Sequence, residues 1–139
     1  MYKTLLRSSI FISIIAILFA IYILIYFSNQ SNTIIIEPTK YVEILELVHN
    51  NPDAYIGKKI ITSGYIYIQE YFSDNRFVIA QNVYLDEIPS DEPFIVGFLC
   101  ENRSDTYATA NEAVKIEGII DKCTYNNSEY PIILVNKIT

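Results

Sequence analysis

A run of twenty uncharged residues, Ser8 to Phe27 (SSIFISIIAILFAIYILIYF), constrains this chain more than any other feature. Thirteen of them are Ile, Leu or Phe, and as a helix rising about 1.5 Å per residue the run would span about 30 Å, the thickness of a bilayer's hydrocarbon core. Each such residue near the centre favours insertion by roughly 0.3–0.6 kcal/mol, and no charge opposes it. A secretory signal also has basic residues before an apolar stretch, as Lys3 and Arg7 stand here. Its apolar core is shorter, about 7–15 residues, and the SNQSNT that follows Phe27 has no small-x-small cleavage pattern. The expectation is an uncleaved transmembrane anchor over residues 1–27. Lys3 and Arg7 precede the run and the next basic residue is Lys40, so the positive-inside rule keeps the N-terminus cytoplasmic. The rest of the chain is then extracytoplasmic, behind a single pass of the cell membrane.

About 110 residues follow the run, enough for one small domain with a modest core. All sixteen carboxylates fall there against eight Lys and Arg, which gives this part a charge of about −8. Nucleic-acid binding needs a cationic face that releases counterions from phosphate, so the balance counts against nucleic acid as a partner. An anionic lipid surface is disfavoured for the same reason.

Residues 28–38 read as a linker: a polar spacer, a β-branched run at Ile34 to Ile36, and a break at Glu37-Pro38-Thr39. Tyr41, Ile44, Leu45 and Val48 fall at i, i+3, i+4 and i+7, which predicts a short amphipathic helix with Thr39 as its N-cap. Asn51-Pro52 ends it, because the residue before proline is pushed out of the helical region. From Lys58 the period changes from 3.6 to 2. Lys59–Gln69, Arg76–Gln81, Phe94–Cys100, Ala113–Asp121 and Pro131–Ile138 are β-branched and aromatic segments bounded by polar or proline-containing turns. Gly64, Gly97 and Gly118 lie inside these strands, where glycine destabilises unless the strand bends or another backbone comes close. The fold class expected over residues 39–139 is mainly β: a small five-stranded OB-like barrel with a short N-terminal helix.

The segments NPDAYIGKKIITSGYI (Asn51 to Ile66), FVIA, IVGFLC, VKIEG and YPII together resemble the C-terminal OB-like domain of the DUF1980 (YcgQ-like) family of bacterial membrane proteins, over residues 41–139. The resemblance implies a membrane-tethered β-barrel module, in that family often encoded beside a permease-like membrane protein, which makes such a protein or another membrane protein the candidate partner. Family members commonly carry a CCxAD-like run after the FVIA strand, whereas this chain reads QNVYLDEIPSDEPF. No thiol or metal role tied to those cysteines carries over.

Candidate chemistry is sparse. His49 is the one histidine, so a His-based zinc site and a nucleophile–histidine dyad both lack a second member, and a helix-end role is its default reading. Cys100 and Cys123 are compatible with one disulfide in an exported domain and equally with two unpaired thiols. Asp86, Glu87, Asp91 and Glu92 crowd the YLDEIPSDEP loop without the spacing or turn glycine of a calcium loop, so no metal is assigned to them. Tyr65, Tyr67, Tyr71 and Phe72, followed by Arg76, form an aromatic cluster suited to a partner's surface or a polysaccharide. These nine residues, four aromatic, four acidic and Arg76, are the candidate ligand- or partner-binding set. No catalytic constellation stands out, and no cofactor is implied. The function expected is a non-enzymatic binding or assembly module for a membrane or envelope partner. A small-ligand or metal-ion carrier and an oligonucleotide-binding domain are the alternatives.

Overall fold

Where the hydrophobic period changes, at Lys58, the chain passes from helix to sheet. A computed structural model describes residues 14–25, 33–73, 75–84, 92–125 and 127–139, and the chain divides into two units, Met1–Thr33 and Ile34–Thr139. In the first unit residues 14–25 form helix α1, with large apolar side chains such as Ile15, Leu18, Phe19 and Leu24 exposed around it. Twelve helical residues extend only about 18 Å. Among the described residues no helix is long and apolar enough to cross a membrane, and both ends of the expected span, residues 8–13 and 26–27, lie outside them.

Among the described residues the second unit is a sheet with one α-helix. Six strands form it there rather than five: β1 (Thr33–Ile35), β2 (Lys59–Tyr67), β3 (Arg76–Val83), β4 (Phe94–Asn102), β5 (Ala113–Tyr125) and β6 (Ser128–Ile138). The added strand, β1, lies within the segment expected to be a linker. Its β-branched run pairs beside β2, the following Ile36 amide donates to the Ile61 carbonyl at 2.9 Å, and the Ile36 side chain is buried in the core. The other strands keep their expected starts, except that β6 begins three residues early. The β5–β6 hairpin runs on to a turn where Asn127 adopts φ 61°, a left-handed conformation that Asn tolerates.

Helix α2 (Tyr41–Asn50) presents the expected face: Tyr41 and Val48 are buried, and Ile44 and Leu45 pack on the core. Its entry differs from expectation. Thr39 belongs to a 3-10 turn, Pro38–Lys40, and the helix starts from Lys40 without a side-chain cap, because the proline-initiated turn already leads the chain into helical geometry. Its exit follows the sequence, with a second 3-10 turn at Pro52–Ala54.

β2 pairs antiparallel with β3 and also with β5; β3 pairs antiparallel with β4; β4 pairs parallel with β6; β5 pairs antiparallel with β6. Alternation then decides what is buried. Ile60, Ile66, Phe77, Ile79, Phe98, Cys100, Ile116, Ile120, Ile133 and Val135 form the core with Tyr41 and Val48 of α2. The Tyr41 hydroxyl donates to the Ile79 carbonyl at 2.5 Å, and the Tyr41 ring meets Phe98 edge-on at 5.7 Å. That bond satisfies a buried phenol, whose ionisation burial pushes well up. The contact between β4 and β6 covers only Cys100–Asn102 against Ile133–Val135, which leaves the earlier part of β4 unpaired on that side.

Candidate functional site

A groove of about 330 Å³ opens beside this unpaired stretch of β4, in the size range of ligand pockets. Its floor is apolar, from Val78 of β3 and Leu99 of β4, which face each other in register. Gly97 adds bare backbone, since a side chain there would run into the Ile79 carbonyl and the Val78 methyl. One wall is the connection between β2 and β3, carrying Gln69, Tyr71 and Phe72. Tyr130 and Pro131 at the start of β6 line it too, as does His49 at the end of α2.

Within that wall Tyr71 and Phe72 stand edge to face with ring centres 5.1 Å apart, and Tyr71 is 70% exposed. Gln69 Nε2 donates to the Tyr67 hydroxyl at 3.3 Å, while Gln69 Oε1 is buried without a hydrogen-bond partner. His49 Nδ1 donates to the Leu45 carbonyl at 2.8 Å and the ring lies 6.1 Å from Phe98. Arg76 lies 3.8 Å from Glu101, which also accepts from Arg103 at 2.9 Å, so the guanidinium at the groove is already part of an ion-pair group.

The structure divides the candidate residues between two places. Tyr71, Phe72 and Arg76 come together in the groove. Tyr65, Tyr67 and Glu92 line a different cleft with Asn82 and Ile95, where the Tyr65 hydroxyl donates to Asn82 Oδ1 at 2.7 Å. Burial, with Tyr67 close by, pushes the Tyr65 phenol up. Asp86, Glu87 and Asp91 lie outside the described residues. Among the described residues no three His, Cys, Asp or Glu side chains gather as metal ligands would.

His49, Gln69, Leu99 and Tyr130 were not singled out as a groove by sequence, and they are far apart along the chain. Only the strand pairing brings them together. A weak signal was present for Tyr130, an aromatic beside the proline that starts the expected last strand.

Of the two readings left open for the cysteines, bridged or unpaired, the structure has the unpaired one. Both cysteines are free thiols. Cys100 aligns with Ile133 on one side of β6, whereas Cys123 aligns with Tyr130 on the other side, so a whole strand and a three-residue offset separate them. Two strand spacings and three residues of rise are each about 10 Å, far beyond the roughly 7 Å Cα separation that a bridge tolerates. Burial pushes the Cys100 thiol well up, and Cys123 is raised less far by partial burial. A thiol reagent is expected to modify Cys123 in the folded chain and Cys100 only after unfolding, as read by mass spectrometry. A native mass lower by two hydrogens, converted by reductant, would show the register argument to be mistaken.

A family model, the DUF1980 C-terminal domain, matches residues 25–139. No curated protein matches the chain.

Proposed function

Starting from the fact that this chain belongs to the DUF1980 C-terminal domain family, we propose that it is a membrane-anchored, extracytoplasmic OB-like module that binds a membrane or envelope partner without catalysing a reaction. The barrel reading is supported by pairings that run from β2 through β3, β4, β6 and β5 and return to β2. Five strands in that order, one pair of them parallel, are the arrangement that a small Greek-key barrel of the OB type calls for. OB domains bind on the face of their second and third strands, flanked by the loop after the first strand and the loop between the last two. Here those parts are β3, β4, the β2–β3 connection and the start of β6.

The single observation that carries the reading is that the groove lies at that place and holds exposed aromatic rings over an apolar floor. Anchoring is supported by the sequence of residues 8–27 and by a helix whose apolar side chains are exposed all round, a pattern for which lipid is the natural solvent. Held within a short tether of the bilayer, the binding surface meets membrane partners at a raised effective concentration.

A photo-crosslinking residue at position 71, in chains that stay in the membrane pellet after an alkaline wash, is expected to give an adduct. The same residue at position 107 is expected to give none, although Tyr107 is 91% exposed against 70% for Tyr71. Equal adducts at both positions would assign the labelling to exposure and remove the groove. Release of the chain by the wash would remove the anchor.

A further inference from the structure

We propose that the groove takes a sugar ring of a neutral glycan, an inference that rests on the groove being the binding surface. Three independent features of the groove converge on that chemistry. The first is the set of rings: Tyr71 and Tyr130 are 70% and 42% exposed, and Phe72 braces Tyr71 from its edge. An aromatic face carries partial negative charge, and the C–H face of a pyranose carries partial positive charge, so the two stack in water without needing an ion.

The second is Gln69. Its amide nitrogen is committed to the Tyr67 hydroxyl, and its buried Oε1 has no donor. A buried acceptor left without a partner is a standing cost, and turning the Gln69 side chain, which lines the groove, is the step that would bring its oxygen to a ligand O–H or N–H. Sugar hydroxyls and acetamido groups bring such donors, whereas phosphate and sulfate oxygens bring only further acceptors.

The third is charge. Among the described residues that line the groove, Arg76 carries the one fixed charge, and Glu101 stands 3.8 Å from it. With about −8 on the residues that follow the apolar run, the domain repels a polyanion, which would need several unpaired cations to release its counterions. A neutral ring with hydroxyl donors meets the rings, the orphan acceptor and the lack of cations together.

The test uses the full chain in micelles of a detergent without a sugar headgroup. The probes are the tetramer of N-acetylglucosamine, a heparin tetrasaccharide, an oligothymidylate and an extended neutral peptide, each titrated by calorimetry. The neutral tetrasaccharide is expected to bind with an affinity that a tenfold rise in salt leaves unchanged. Tyr71→Ala is expected to weaken it by about tenfold or more, the scale of losing one stacked ring. Gln69→Leu is expected to weaken it severalfold, while Tyr107→Ala leaves it intact.

Absence of heat with the neutral tetrasaccharide at millimolar concentration overturns the proposal. So does undiminished binding by Tyr71→Ala, or binding confined to the heparin fragment, the oligothymidylate or the peptide. A cross-link at position 71 without sugar binding sinks the glycan and leaves the groove standing as a binding surface. Loss of both the cross-link and the sugar removes both readings.

Discussion

Replacing Phe98 with Ala is expected to destabilise the sheet unit by about 3–5 kcal/mol, the range seen for removing a buried aromatic ring. Phe98 is 1% exposed and sits where three elements meet. Its ring receives the edge of Tyr41 at 5.7 Å, has the His49 ring at 6.1 Å, and lies opposite Ile79 in the β3–β4 ladder. Truncation leaves a cavity between α2 and the sheet that the short helix cannot refill, since it is joined by 3-10 turns at both ends. A small domain has roughly 5–15 kcal/mol in total, so the loss is a large fraction of it. Urea unfolding of the full chain in micelles, followed by sheet circular dichroism, measures this. A shift below about 1 kcal/mol would mean that α2 is not seated on the sheet as described.

Gly97→Ala is expected to cost about 3 kcal/mol, at the upper end for overpacking. A Cβ at position 97 would overlap the Ile79 carbonyl oxygen and a Val78 methyl, and would stand 3.1 Å from the Ala80 Cα. The methyl can rotate aside, but the carbonyl and Cα belong to a strand held by eight register pairs with β4. Relief must come from moving β3 away, which also disturbs the groove floor at Val78 and Leu99. Two readouts follow from one variant: a lower urea midpoint, and weaker retention of whatever the groove binds under conditions where the variant is still folded. The same residue placed at Gly57, where a new Cβ meets nothing within 4 Å, strains only a turn whose φ is 79° and is expected to spare the groove. An unchanged midpoint for Gly97→Ala would mean that the β3–β4 ladder yields more easily than its pairing implies.

Much of the fold was legible because strand patterning is local. Side chains alternate with a period of two, so the Ile, Phe and Val positions of each segment named the core face before any partner strand was known. The interior glycines carried long-range information as well. Gly97 and Gly118 mark places where a neighbouring backbone approaches: the Ile79 carbonyl in the first case, and in the second the Leu134 carbonyl, 2.6 Å from where a Cβ would be, beside a register shift in β5. The readings that changed depended on pairing. β1 needed β2 beside it to become a strand, Thr39 lost its capping role to a proline-led turn, and of the two readings open for the cysteines only the unpaired one was left once β6 stood between them.

The aromatic cluster shows the same division more sharply. Tyr65, Tyr67, Tyr71 and Phe72 look like one patch along the chain, yet the end of β2 divides them, leaving the first two on a strand and the other two in the connection that follows. By itself the sequence determined what each segment wants: an uncharged run that suits lipid, a two-to-three-turn amphipathic helix, five alternating strands, and an acidic surface unsuited to polyanions. Tertiary structure decided which of these residues meet. The groove joins His49 of α2, Gln69 of the β2–β3 connection, Leu99 of β4 and Tyr130 of β6, and such a meeting depends on register and strand order, which no local periodicity encodes.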